Sequence, residues 1–462
     1  MSTRATAAPR DARRLLLITY HFDPDGSVGN LRWIGVTKHL ARLGWRISVV
    51  TAAPPAGSDT AINAQVEWCP RLWTLIDGCR SLRRLALERS VTSFPEASRV
   101  ARRSGPPGLL RELYKEVRAF LVFPDEGRGW ILRAALRARS LIHRFQPQVV
   151  VSSGPPHSAH LVAGMATMGS AVRWLVDLRD PWAGPHTKAW DSHARVGSRI
   201  FRALSVPLEH LTFSSAHGVI TNTHPLAEAL AARYPNVPVA CVPNGVDPER
   251  LPPPARHRYP GFAIAYAGAL YGIRDLGPVV RALRIFFERH PEAPQAGSKL
   301  RIAGEADPDR ARALREAVAA AGVEQLVEVL GLLPRAQALN VVSRSRLAVV
   351  LAQEQELQVP AKLYESVAMG IPTLVVAEAG SAAGVEGERI GAVVRDPGDV
   401  EGIACVLEEL WRADPRRRPQ CPVPITYEAI APVVDKLLRG SGVVPSFGEE
   451  GGTDLPRGAA VT

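Results

Sequence analysis

Cysteine is scarce in this 462-residue chain, and the five present, Cys69, Cys79, Cys241, Cys405 and Cys421, are too dispersed to form a CxxC or a Cys/His ligand set. That spacing excludes a zinc finger or ribbon and gives no disulfide framework, so the thiols are expected to be buried or idle in a reducing compartment. Long apolar runs are lacking as well. None approaches the roughly 18 residues of a spanning helix, and "RRLLLITYHFDPD" near the N-terminus breaks off at His21 and Asp23. The protein is therefore expected to be soluble and cytoplasmic. The glycine loop that follows is not a GxGxxG, and GxxxxGK[ST] occurs nowhere, which leaves a dinucleotide oxidoreductase or a P-loop NTPase unsupported.

Positive charge is abundant: the formal net charge is +11 and the pI about 9.8. Such a balance suits an anionic partner, whether nucleic acid, a membrane surface or a phosphorylated substrate. Basic residues outnumber acidic ones from Arg80 to Arg118, with Leu82, Leu85, Leu87, Leu109, Leu110, Leu113, Phe120 and Leu121 between them. This segment reads either as a solvated basic helical insertion or as a contact with an anionic bilayer surface. No helix-turn-helix, zinc-finger or RNP-like signature supports nucleic acid.

The length and a 46% hydrophobic composition suggest two globular domains. Short, β-branched, apolar runs alternate with helical patterns: "RLLLITY", "RISVVTA", "PQVVVSSG", "VRWLVDLRD", "GVITNTH" and "VPVACVPNG". A second series follows in "FAIAYAG", "KLRIAG", "VEVLGLL", "LAVVLAQ" and "PTLVVAE", with helices expected near Leu276–His290, Asp307–Ala321, Asp399–Arg412 and Tyr427–Arg439. Runs that are apolar throughout suit strands covered on both faces, and their alternation with helices implies parallel, doubly wound sheets. The expected class is α/β, with two Rossmann-like domains facing across a cleft and ligands bound at the strand C-terminal ends. The expected order is a disordered N-terminus (1–12), a first domain (13–247) with a basic insertion at about 71–140, and a proline-rich linker (248–260). A second domain (261–424), a closing helix (425–440) and a disordered tail (441–462) complete the chain.

Candidate chemistry lies in the loops after the strands. In "HFDPDGSVGNLRW", Gly26 and Gly29 allow close backbone approach to a ligand, and the following helix N-terminus favours anions or polar groups. In "SSGPPHSAHLVAG", His157 and His160 open a helix, where each can pack or hydrogen-bond a sugar hydroxyl or phosphate. "WLVDLRDPW" sets Asp177, Arg179, Asp180 and Trp182 at another strand end, as a buried ion network or as groups that orient hydroxyls. In "VPAKLYESVAMGIPTLVV", Lys362 and Glu365 share a helix face between two buried runs. As a solvated i,i+3 pair they would contribute a few tenths of a kcal/mol; at a strand end, Lys362 and the helix N-terminus would instead meet a diphosphate.

Taken in order, "YHFDPDGSVGNLRW", "SSGPPHSAHLVAG", "DLRDPW", "VPNGVD", "AYAGALYGIRDL" and "VPAKLYESVAMGIPTLVV" resemble the GT-B glycosyltransferases of the family 4 type, most closely the branch that acts in exopolysaccharide and O-antigen assembly. The resemblance spans roughly Arg13 to Leu438. It implies retaining, metal-independent hexosyl transfer from a nucleotide sugar on the C-terminal lobe to a hydroxyl acceptor on the N-terminal lobe, with no cofactor and no metal site. Glu365 would hold the ribose hydroxyls, Lys362 and Arg274 would face the diphosphate, and Gly268 would let its loop come close. Asp180 and His160, with Arg179, would act at the reacting centre, and Gly26, Gly29, Asn30 and His157 would lie toward the acceptor. The basic segment favours a lipid-linked acceptor at the inner membrane face, with a soluble aglycone as the alternative. Two departures stand out. Many relatives carry a second glutamate eight positions before the ribose glutamate, where this chain has Leu357, and Glu356, one position off, is the candidate replacement; Arg179 and Asp180 stand where the usual catalytic-loop histidine would be. An inactive sugar-nucleotide-binding partner protein and a GT-B sugar-nucleotide epimerase are the alternative readings.

Overall fold

The computed structural model describes residues 13–23, 28–54, 64–74, 77, 108–183, 198–414 and 418–440. Both tails, Gly26 and residues 80–107 of the basic segment lie outside the described residues.

The N-terminal sheet has seven strands: β1 (Arg13–Thr19), β2 (Trp45–Thr51), β3 (Gln65–Trp68), β4 (Val149–Gly154), β5 (Arg173–Leu178), β6 (Gly218–Thr221) and β7 (Val239–Cys241). They run in the order β3-β2-β1-β4-β5-β6-β7, and every pairing is parallel. The C-terminal sheet has six: β8 (Ala263–Ala267), β9 (Lys299–Ala303), β10 (Val327–Gly331), β11 (Leu347–Leu351), β12 (Thr373–Val376) and β13 (Val393–Arg395). Their order is β10-β9-β8-β11-β12-β13, again parallel throughout. In each sheet the order reverses beside the first strand, at β1/β4 and at β8/β11, so each lobe has a topological switch point, where such sheets form crevices.

The apolar runs form strands because both faces are covered. Leu15, Leu16, Leu17 and Ile18 of β1 are fully buried, and helices seal the sheet on either side. The exceptions are the edge strands β3, β7, β10 and β13, which stay partly open; β3, "QVEW", carries a charge, as exposed edges commonly do. Residues 248–260 contain one 3-10 turn, Pro248–Arg250, and no strand.

The chain then crosses back. Val246 and Thr426 pair in parallel, and the helix Tyr427–Arg439 packs on the helix Val28–Arg42 of the N-terminal lobe. Its Tyr427, Ile430, Val434 and Leu438 join the core that holds Trp33 and Leu40. Burying each such side chain contributes roughly 1.5–3 kcal/mol. Asp435 fixes the register, accepting from Arg13 Nη1 and Trp45 Nε1, both at 2.8 Å. The last helix therefore completes the first lobe, which ties the lobes at two crossings and positions the cleft. Among the described residues, no helix is long and apolar enough to cross a membrane.

Candidate functional site in the cleft

On the C-terminal side, a pocket opens at the ends of β8, β9 and β11. Its wall is small and apolar where Ala265, Ala267, Ala303, Leu339 and Val349 line it, and polar at Glu305, Arg335, Lys362, Glu365 and Ser366. The last three belong to the helix Ala361–Ala368, which begins after Pro360 with no side-chain cap on its first turn. Leu363 and Tyr364 are buried in the lobe's core, so the turn bearing Lys362 is held rigidly at the pocket edge.

Lys362 and Glu365 face the same pocket but are not paired. Glu365 accepts from Arg335 Nη2 at 2.5 Å, whereas no hydrogen bond or ion pair engages Lys362 among the described residues. The Lys362 ammonium lies against the loop after β8: a Cβ built on Gly268 would overlap Nζ, so only glycine admits the lysine there. A second glycine closes the other side, since a Cβ on Gly304 would strike the Gly268 carbonyl. Nζ lies 5.2 Å from the Tyr266 ring centroid. Burial, reinforced by the Arg274 cation and opposed by Glu365, pulls the Lys362 pKa down to about 7. Arg274 itself stacks 4.5 Å over Tyr271 and donates to the Ala269 carbonyl, while its buried Nε has no partner among the described residues. The pocket thus brings together Lys362, the carboxylates Glu305 and Glu365, and a helix N-terminus, with the Arg274 cation near Lys362.

Arg335 was not legible beforehand. It stands in the first turn of the helix Arg335–Ser343, just after Pro334, and reaches Glu365 across 30 residues of sequence. The proline and the preceding strand marked a helix start but not its partner.

Glu356 does not join this group. It is exposed, its carbonyl accepts from Ala382, and it does not line the pocket. Leu357, at the position of the expected carboxylate, is buried in the core of the N-terminal lobe, and its carbonyl accepts from Thr223 Oγ1 at 2.7 Å. Side chain and carbonyl together serve lobe packing there.

The facing wall belongs to the N-terminal lobe. Asp180 lies just beyond β5 and accepts from Gln358 Nε2 of the other lobe at 2.9 Å. Burial raises its pKa, against the opposing pull of Arg179 and Gln358. Arg179 is buried and donates to the carbonyls of Gly154 and Pro155 at 3.1 and 2.7 Å. His157 stacks on Trp182 with centroids 4.9 Å apart and planes at 11°.

His160 is fully enclosed. Trp174 Nε1 donates to Ser152 Oγ, which also shares a hydrogen bond with His160 Nδ1, both at 2.9 Å. Burial drives the His160 pKa down to about 3, so the ring is neutral, with Nε2 pressed under Gly154. The expectation that His160 orients an acceptor hydroxyl is corrected accordingly: it supports the loop from behind, out of reach of the cleft. Asp177 is likewise internal, accepting from Arg32, Trp33 and Ser153. Arg32 and Trp33, just past the glycine loop, were not singled out from sequence. Gly29 and Asn30 lie in the first turn of the helix Val28–Arg42. Among the described residues, no group of three or more His, Cys, Asp or Glu side chains is placed to hold a metal ion.

Two Rossmann-like parallel sheets facing each other across such a cleft define the GT-B class. The glycosyltransferase family 4 model matches residues 79–250, and the glycosyl transferases group 1 model matches residues 263–413. The chain therefore carries two glycosyltransferase domains, one on each lobe. No curated protein matches the chain in sequence. Among solved structures it is similar to sucrose-phosphate synthase from Thermosynechococcus elongatus, at 14% identity and TM-score 0.55, over 93% of this chain and 98% of that one. It is also similar to HepE from Anabaena in complex with UDP-glucose, at 13% identity and TM-score 0.54, over 92% of this chain and 99% of that one. A putative UDP-N-acetylglucosamine 2-epimerase from Listeria monocytogenes has the same architecture, at 12% identity and TM-score 0.51, over 94% and 99% of the two chains.

Proposed function

We propose that the chain is a retaining, metal-independent glycosyltransferase that moves a hexose from a nucleoside-diphosphate sugar to a hydroxyl acceptor, in the assembly of a cell-surface polysaccharide or glycolipid. The observation that carries this reading is the unpaired Lys362 at a helix N-terminus, three residues from a carboxylate that faces the same pocket. Phosphate oxygens would take the helix N–H groups, Lys362 and Arg274, and the ribose hydroxyls would donate to Glu365. The apolar slot beside Leu339 and Val349 suits a nucleobase, and the binding of UDP-glucose by HepE agrees with a nucleotide sugar as donor.

Catalysis in this reading is electrostatic. Charge develops on the leaving diphosphate, where Lys362 and Arg274 stabilise it without reorganisation. The acceptor hydroxyl attacks the anomeric carbon from the face the phosphate leaves, passing its proton to the departing oxygen, while Asp180 and Arg179 orient the acceptor. The sugar–phosphate bond breaks as the new glycosidic bond forms, and the anomeric configuration is kept.

The acceptor is proposed to be lipid-linked, at the cytoplasmic face of the membrane. Beside the basic segment, the N-terminal lobe exposes Trp68, Leu72, Trp73, Leu132 and Leu136, with Arg133 among them. Apolar side chains with neighbouring arginines suit an anionic bilayer surface. The test of the function is a transfer assay with a panel of nucleotide sugars and lipid-linked acceptors in EDTA, with the product anomer read by NMR. A retained product without added metal is expected; an inverted product, or strict dependence on a divalent ion, overturns the mechanism.

A further inference from the structure

Glu365 is held at one carboxylate oxygen and open at the other. Arg335 Nη2 donates to Oε1 at 2.5 Å, while no hydrogen bond reaches Oε2 among the described residues. Arg335 comes from the opposite wall of the pocket, on the helix after β10, and its buried Nε has no partner. The same two residues also wall a second, smaller cavity at the junction of the lobes, lined by Asp247, Arg250 and Tyr427. The ion pair is therefore the partition between the large pocket and the interlobe junction.

That placement settles a competition on the helix. Lys362 and Glu365 are three residues apart on one face, the spacing at which opposite charges normally meet. Arg335 takes the carboxylate instead, with a planar guanidinium that also fixes its orientation. Lys362 is left without a partner, and Oε2 accepts no hydrogen bond among the described residues, on a side chain that lines the pocket.

We propose that Arg335 is a positioning residue that holds Glu365 toward the ribose and away from Lys362, and that it thereby sets the preference for a ribonucleotide over its 2′-deoxy counterpart. This rests on the reading of the large pocket as the nucleotide-sugar site. A carboxylate accepting from the ribose hydroxyls discriminates only while its free oxygen is aimed at them. Released from Arg335, it can swing to Lys362, where it would neutralise the cation meant for the diphosphate.

The experiment is calorimetric titration of the full chain with UDP, GDP and ADP, each beside its 2′-deoxy form, for the parent, Arg335→Met, Arg335→Lys and Glu365→Gln, with melting temperatures measured alongside. For the diphosphate that binds, the parent should prefer the ribo form by about tenfold or more, the scale of one charge-assisted hydrogen bond. Arg335→Met should bring that ratio close to one, Arg335→Lys should restore part of it, and Glu365→Gln should abolish it. If Arg335→Met keeps the parent ratio, or weakens both forms equally, while Glu365→Gln abolishes the preference, the role of Arg335 is overturned and the donor site stands. If no diphosphate binds the parent, or Glu365→Gln leaves the ratio intact, the donor reading fails and this inference fails with it.

Discussion

The ammonium of Lys362 occupies the space that a side chain on Gly268 would need. The two residues lie far apart in sequence and on different elements, yet a side chain at position 268 and the lysine at position 362 exclude each other. A lysine placed against bare backbone, beside a second cation and away from any carboxylate partner, is costly in an empty protein and useful only when an anion arrives.

Substitutions at the two glycines separate binding from folding. At Gly268 an added Cβ meets the far end of a flexible lysine, so Gly268→Ala should displace Lys362 and reduce nucleoside-diphosphate affinity by about tenfold or more, while the positive φ of 158° adds about 1–3 kcal/mol of backbone strain. At Gly304 the Cβ meets backbone, and Gly304→Ala should cost about 1–3 kcal/mol of stability. Thermal unfolding and titration calorimetry on both variants check this; undiminished affinity in Gly268→Ala would remove the distinction.

Lys362 also makes donor binding pH-dependent. In the empty pocket it loses its proton near pH 7, against 10.5 for an ordinary lysine, so above pH 7 the native state binds fewer protons than the unfolded chain. Stability of the empty protein therefore rises from about pH 7 toward pH 10.5 through this group, and its cost is fully present below pH 7. A bound diphosphate reverses the shift by favouring the charged form. At pH 8.5, binding should take up about one proton, read from titrations in buffers of different ionisation enthalpy. Lys362→Met should abolish the uptake, and an uptake that survives in that variant would assign it elsewhere.

Leu357 distinguishes lobe packing from a lost sugar contact. Restoring a carboxylate with Leu357→Glu would place it in the core of the N-terminal lobe, and should cost about 3 kcal/mol or more. Donor affinity should not improve. An unchanged melting temperature together with tighter sugar-nucleotide binding would show that the position still faces the donor.

Membrane contact can be read directly by vesicle co-sedimentation. Replacing Trp73 and Leu136 with serine, or several arginines between Arg80 and Arg103 with glutamine, should reduce binding to anionic vesicles severalfold while leaving the fold intact. Binding that is unchanged in both variants would point to a soluble acceptor.

Much of this arrangement was legible in the sequence because burial on both faces leaves a plain signature. Runs such as "LLLIT" and "LAVVL" read as parallel strands, and the helices of the C-terminal lobe fell within a residue or two of their expected limits. The half-exposed edge strand β3 left no such trace. The docking of the last helix on the first lobe was invisible because it depends on contacts such as Arg13 with Asp435, which no local pattern encodes. At the site, helical spacing put Lys362 and Glu365 on one face, but their separation depends on Arg335, which comes from another element. His160 shows the converse limit: a histidine opening a helix after a strand looks chemical until its enclosure by Ser152, Gly154 and Trp182 is seen.

The most direct measurement of the central claim is the affinity of the parent, Lys362→Met and Glu365→Ala for nucleoside diphosphates, with thermal unfolding of each protein as control. The account predicts that one or more diphosphates bind the parent and that each variant loses about tenfold or more in affinity at nearly unchanged melting temperature. Full affinity in both variants, or no binding to the parent, would contradict it.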